Sequence, residues 1–238
     1  MDDFYSRTEL LVGVEATLKL RQAHVLVVGL GGVGGYAAEM LCRCGIGHLS
    51  IVDSDVVSPT NINRQLIALH STVGHKKVEL FMQRLKDINP ECQVTGIDEF
   101  IRDDRMVELL QAAPYDYVVD AIDTLSPKVF LLYHCHRLRI PVVSSMGSAG
   151  KLDPTQIVVT DIAESHTCPL ARMVRKQLHK LGVRDGIKVA FSTEEPLPNC
   201  SFEERSENKR TTMGTIAFLP PAFGCALASV VVRSIIGK

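Results

Sequence analysis

The seven cysteines, at positions 42, 44, 92, 135, 168, 200 and 225, include no C-x-x-C pair. Tetrahedral zinc draws four convergent ligands, usually from such paired short spacings, so no zinc is expected. A secretory signal pattern is also missing, and an odd cysteine count without one points to free thiols in a reducing cytoplasm. Charge of one sign is absent too: 26 Lys and Arg face 27 Asp and Glu, a net charge of −1. That balance does not announce a nucleic-acid binder. No internal repeat or low-complexity tract interrupts the 238 residues, of which 46% are hydrophobic. A single α/β domain spanning 1–238, with a sizeable core, is therefore expected. The longest apolar run, 222–236, is broken by Arg233 and falls short of the roughly 20 residues a bilayer span requires. It is predicted to be a buried helix, at the core or a dimer interface, and not a stable membrane span.

What is present is concentrated in residues 24–65, HVLVVGLGGVGGYAAEMLCRCGIGHLSIVDSDVVSPTNINRQ. Gly29, Gly31 and Gly34 fit G-x-G-x-x-G between an apolar strand and a small-residue helix, with Gly32 inside the turn. Glycine permits positive φ there, and a missing Cβ lets backbone N–H groups approach a phosphate at the helix start. Asp53 closes the next strand, where a carboxylate can accept hydrogen bonds from ribose hydroxyls. The loop beyond it crowds Asp55, Asn61, Asn63, Arg64 and Gln65 beside the phosphate position. Lys76 and Lys77 then open a helix. Cations there oppose the macrodipole, which is less surprising if they face a triphosphate. Further on, YDYVVDAIDT ends a strand in Asp120 and Asp123. Carboxylates at that end of a parallel strand sit in the ligand crevice, and one of them can hold Mg²⁺ while phosphates supply other ligands.

GLGGVGG, IVDSD, NINRQ, GHKKVE and DAIDT stand in an order and spacing that resembles the adenylating domain of the ubiquitin-activating-enzyme-like superfamily. FYSRTELLVG looks like that superfamily's N-terminal arginine segment, which implies a homodimer in which Arg7 reaches the partner's nucleotide. Within the superfamily, INPECQV, the SSMGSAGKLDPTQI run, CPLARMVRKQL and VAFSTEEP are most similar to the tRNA threonylcarbamoyladenosine dehydratase branch. The resemblance implies ATP-dependent activation of the threonylcarbamoyl carboxylate on a tRNA adenosine, then ring closure. It places Arg64 and Lys77 on the phosphates, with Lys76 as the fallback, and uses Asn61 and Gln65 to orient the phosphate chain. Asp123 would hold Mg²⁺. Sulfur-transfer proteins are implied as further partners. Cys168 lies where some members keep a thioester or persulfide cysteine, although a helix-start residue fits its place before Pro169 equally well. Two other readings stay open: activation of a ubiquitin-like sulfur carrier, and a nicotinamide-dependent oxidoreductase built on the same glycine turn.

Strand–helix alternation predicts a Rossmann-like, doubly wound, mostly parallel sheet. Strands are expected at 24–28, 49–53, 93–97, 117–120 and 141–145, and helices at 33–44, 76–89, 105–112 and 127–139. QIVVT and KVAF are expected to extend the sheet in antiparallel fashion. Arg172, Arg175, Lys176, His179, Lys180, Arg184 and Lys188 form a basic stretch that is either a face for tRNA phosphates or a solvated helix surface. The polar run 193–210, with Arg205, Lys209 and Arg210, is expected to be a mobile insertion.

Overall fold

Apolar runs such as HVLVV and YVVD suit strands buried on both faces, and they form the centre of the sheet. The computed structural model describes residues 4–203 and 211–238; Arg205, Lys209 and Arg210 lie outside them. Two short helices, α1 (Ser6–Val12) and α2 (Val14–Gln22), precede β1 (His24–Val28). Then follow α3 (Gly34–Arg43), β2 (His48–Val52), α4 (Lys77–Ile88), β3 (Gln93–Ile97), α5 (Asp104–Gln111) and β4 (Tyr117–Asp120). The second half holds α6 (Leu125–Leu138), β5 (Val142–Ser145), β6 (Ile157–Asp161), α7 (Pro169–Lys180) and β7 (Lys188–Ser192). A hairpin of β8 (Ser201–Glu203) and β9 (Thr211–Met213) leads to α8 (Leu219–Ile236).

The main sheet has seven strands in the order β3-β2-β1-β4-β5-β7-β6. Side chains alternate between its faces, as the two-residue period of a strand requires. Val25, Val27, Leu49 and Ile51 pack with α3, α4 and α8 on one side. Leu26, Val28, Val52 and Val118 pack with α5, α6 and α7 on the other.

One expectation is corrected. β7 runs parallel to β5, and only β6, paired outside β7, is antiparallel. The chain passes the sheet edge as β6, crosses over through α7 and returns between β5 and β6. The buried strand is accordingly β7, whereas Val158 and Val159 of β6 stay exposed. α8, with 18 residues and a mean hydropathy of 1.7, is among the described residues the one helix long and apolar enough to cross a membrane. It lies against α3 instead. A Cβ at Gly224 would come within 2.4 Å of the Val33 carbonyl oxygen, so glycine allows that close approach.

Candidate active site

Strand order reverses between β1 and β4, and that switch point opens a crevice beyond the strand ends. A cavity of about 1090 Å³ lies there. Gly29, Gly31, Gly32 and Asp53 line one part of it, with Asp55, Asn61, Arg64, Gln65, Lys77 and Asp123 around them. Gly29 has φ +92°, and a Cβ on it would stand 2.8 Å from the Ala121 carbonyl oxygen. Only glycine fits both the dihedral and the approach of the two strand ends. Gly34, the last glycine of the pattern, lets the start of α3 pack close to the end of β1. It is absent from the cavity wall, and its Cβ would fall 1.8 Å from the Gly29 carbonyl oxygen. Arg7 sits exposed on α1, away from this wall.

The charges on the wall hold one another. Asp53 accepts from the Leu30 N–H at 2.7 Å with one oxygen and from the Asp55 N–H at 2.8 Å with the other. The acid therefore fixes the glycine turn and keeps lone pairs for a ribose. Burial pushes its pKa up, while Lys77 and the two N–H groups pull it down. Lys77 Nζ is 2.7 Å from Asp55 and 3.8 Å from Asp53. Lys76 turns outward to Asp98 at 2.9 Å, so Lys77 is the lysine that faces the cavity. Arg64 donates to the Thr60 carbonyl at 3.0 Å and to Asn63 Oδ1 at 2.8 Å. Burial lowers its pKa and the nearby Asp123 raises it. Asn61 Oδ1 accepts from the Ser58 N–H at 3.2 Å, which braces the loop carrying Arg64. Among the described residues, two buried side-chain atoms have no hydrogen-bond partner: Gln65 Oε1 and Thr215 Oγ1. Both residues line the cavity. Buried polar atoms left unpaired are costly, and these two border the same cavity as the charged side chains.

Beneath the floor, Lys128 and Asp120 are fully buried. Lys128 Nζ donates to Asp120 Oδ2 at 2.5 Å, Ser144 Oγ at 3.1 Å and the Ser145 carbonyl at 3.0 Å. Asp120 Oδ1 accepts from the Ile122 N–H at 3.0 Å, which shapes the loop leading to Asp123. Nothing in the local sequence pattern marked Lys128; a lysine amid the apolar positions of α6 was the available signal.

Another part of the wall is formed by Ser145, Gly147, Ser148, Ala149 and Leu170. The Thr215 carbonyl, accepting from Asn63 Nδ2 at 3.1 Å, ties the segment after β9 to the loop that carries Arg64. Behind the Ser145–Ala149 part, DPTQI and STEEP interlock. Glu194 accepts from the Leu152 N–H at 3.0 Å and the Asp153 N–H at 2.8 Å. Lys151 Nζ, buried, donates to the Ser192 carbonyl at 2.9 Å. Thr193 donates through its N–H to the Gln156 carbonyl at 3.1 Å. Cys168 is buried at the N-cap position of α7, and a Cβ on Gly147 would be 3.4 Å from its Sγ. It stands behind the wall as a helix-start residue.

A glycine turn, a strand-end acid and a facing Arg, Lys and Asp on a doubly wound sheet make this an adenylating-type nucleotide site. The chain belongs to the ThiF family, whose model matches residues 5–238. It is similar to tRNA threonylcarbamoyladenosine dehydratase of Bacillus subtilis, 45% identical over 81% of this chain and 76% of that one. The solved structure of Escherichia coli tRNA N6-threonylcarbamoyladenosine dehydratase in complex with ATP superposes with a TM-score of 0.88. It is 36% identical and covers 98% of this chain and 94% of that one. The adenylyltransferase and sulfurtransferase MOCS3 of Drosophila virilis is 38% identical over 63% of this chain and 32% of its own length.

Proposed function

We propose that this chain is an ATP-dependent tRNA threonylcarbamoyladenosine dehydratase. The observation that carries the reading is that Arg64, Lys77 and Asp123 line one cavity with the glycine turn. At about 1090 Å³ the cavity exceeds the ~300–1,000 Å³ usual for one drug-sized ligand. The similarity to the B. subtilis dehydratase is more extensive than that to the sulfur-carrier activators.

In the first step the threonylcarbamoyl carboxylate attacks the α-phosphorus of ATP, forming an acyl adenylate and releasing pyrophosphate. Two anions must meet, so fixed cations lower the barrier by stabilising charge on the phosphorus and on the leaving group. Arg64 and Lys77 supply that charge; Asn61 and Gln65 align the phosphate chain. Once ATP arrives, Lys77 exchanges part of its contact with Asp55 for phosphate oxygens. In the second step the substrate's own carbamoyl nucleophile attacks the acyl carbon and AMP departs. The net loss is one water. Because the nucleophile is tethered, ring closure has the rate advantage of an intramolecular reaction and needs no enzyme thiol.

Among the described residues no three His, Cys, Asp or Glu side chains gather into a metal cage. Mg²⁺ needs none, since it is commonly held by one or two carboxylates together with substrate phosphates. Asp123 fits that role, and the ion would neutralise phosphate charge there. A second copy of the chain is part of the reading. No residue of α1 is buried, and Leu10 and Leu11 are each 81% exposed. Covering that stripe with a partner's equivalent would bury the apolar surface and carry Arg7 across the interface.

The test is mass spectrometry of tRNA nucleosides after incubation with enzyme, ATP and tRNA bearing threonylcarbamoyladenosine. The expected product is lighter by one water, with pyrophosphate released. Arg64→Ala is expected to slow pyrophosphate release by about 10²–10³-fold while the protein still folds. An unchanged nucleoside, or pyrophosphate release elicited instead by a sulfur-carrier protein, would overturn the reading.

A further inference from the structure

We infer that the outer face of α7, a stripe of cations on a helix whose first turn lines the cavity, is the docking surface for the tRNA backbone. The inference rests on the reading of a tRNA as substrate. α7 buries Ala171, Val174 and Leu178 completely. Its helical period therefore turns Arg172, Lys176 and Lys180 outward along one line, and Arg184 continues the basic run past the helix end. All of these are exposed. Leu170, in the first turn, lines the cavity, so the helix that carries the stripe starts at the cavity wall while the cations themselves face outward. With 12 residues the helix extends about 18 Å from that rim at ~1.5 Å per residue.

Two features separate this stripe from an ordinary solvated face. Some surface cations elsewhere are matched, such as Lys19 with Glu15, Arg21 with Glu91, Lys76 with Asp98, and Arg105 with Glu99 and Glu108. Among the described residues, Arg172, Lys176, Lys180 and Arg184 make no ion pair, and residues 169–184 contain no acid at all. Secondly, Arg172, Lys176 and Lys180 follow one another at four-residue spacing, where like charges on a helix repel. Arg172 also lies near the helix N-terminus, where the dipole disfavours a cation. Lys180, in the last turn, suits the helix dipole, but the repulsion along the row has no acid within the helix to offset it, in a chain whose net charge is −1. A polyanion restores what is lost, because neutralising phosphates releases their counterions. An RNA stem, recognised largely through its shape and backbone, fits such a line of charge. Arg175 is withdrawn from the face: its guanidinium donates to the Ser165 carbonyl and hydroxyl, each at 2.6 Å.

The experiment measures anisotropy of a labelled, unmodified tRNA transcript across a salt series. The double variant R172Q/K176Q is compared with K86Q/K238Q, which loses the same charge elsewhere. R172Q/K176Q is expected to weaken binding about tenfold near physiological salt and to flatten the log Kd against log salt slope by about two. ATP affinity and melting temperature should be retained, and K86Q/K238Q should match the parent. An unchanged slope in R172Q/K176Q, or equal losses in both variants, would overturn the assignment. Loss of binding to vesicles containing anionic lipid, with tRNA binding intact, would overturn it in favour of a membrane surface. A parent that binds tRNA through this stripe yet never cyclises the modified nucleoside would refute the proposed reaction and leave the surface standing.

Discussion

The two walls of the cavity are built on different principles. On the glycine-turn side, charged side chains face one another, Lys77 with Asp55 and Asp53 and Arg64 beside Asp123, while Asp53 and Arg64 also hold backbone groups of the turn and loop. On the Ser145–Ala149 side, charged side chains bind backbone instead: Glu194 holds the N–H groups of Leu152 and Asp153, and Lys151 holds the Ser192 carbonyl. Side-chain ion pairs can be exchanged for phosphate oxygens and a metal with little movement of the chain. Charges committed to backbone cannot be exchanged without distorting the loop. The first wall is therefore suited to chemistry, and the second to shape.

Lys128 lies at the seam and offers the strongest way to break the contrast. Lys128→Met would leave Asp120 buried without its counter-charge, a loss of about 3–5 kcal/mol in stability. Both walls should suffer together, because Asp120 steers the loop to Asp123 while Lys128 holds the Ser145 carbonyl. Urea unfolding checks it; a change under about 1 kcal/mol would mean that the seam is not structural.

Glu194→Gln removes charge from the shape-setting wall alone. A loss of about 1–2 kcal/mol is expected, since hydrogen bonds to a charged acceptor are worth more than neutral ones. Thermal melting should register that loss, tRNA conversion should fall, and ATP binding measured without tRNA should persist. If ATP binding fell in parallel, the division between the walls would be wrong.

The smallest effect concerns pH. Burial pulls the pKa of Lys151 below its ordinary value of 10.5, and the charges of Cys168 and Glu194 pull it partly back. Between that depressed value and 10.5 the unfolded chain holds more protons than the folded one, so stability from this group rises with pH. The parent should gain on Lys151→Met by roughly 1–2 °C in melting temperature as the pH goes from neutral to about 10. A difference that stays flat across that range would show that Lys151 is not held against its charge. Asp53 on the other wall is the mirror case. Burial raises its pKa, and its contribution improves as the pH falls towards the ordinary carboxylate value.

Legibility in the sequence differs between the walls for a physical reason. β1 and β4 begin and end where the apolar runs do, because a strand buried on both faces leaves little room for polar residues. The turn glycines, Asp53 and Lys77 follow a strand or open a helix, so chain direction carries them to the crevice, whereas Arg64 lies in the loop between and is singled out by the family resemblance. The direction of β7 was not readable. KVAF and QIVVT have similar local patterns, and the crossover through α7 decides which one is buried. Glu194 and Lys151 find partners 42 and 41 residues away, distances at which no periodicity operates. Arg175 looked like its basic neighbours until the loop at Ser165 came within reach of it.

By itself, the order of residues determined the alternating architecture, the nucleotide turn and the residue types gathered at its rim. Those follow from local stereochemistry: glycine's access to positive φ, the two-residue period of strands and the periodicity of helices. Tertiary structure alone decided which cations on α7 remain unpaired and how DPTQI closes against STEEP. Each of those depends on groups distant in sequence meeting at hydrogen-bond range, and only the folded chain sets that distance.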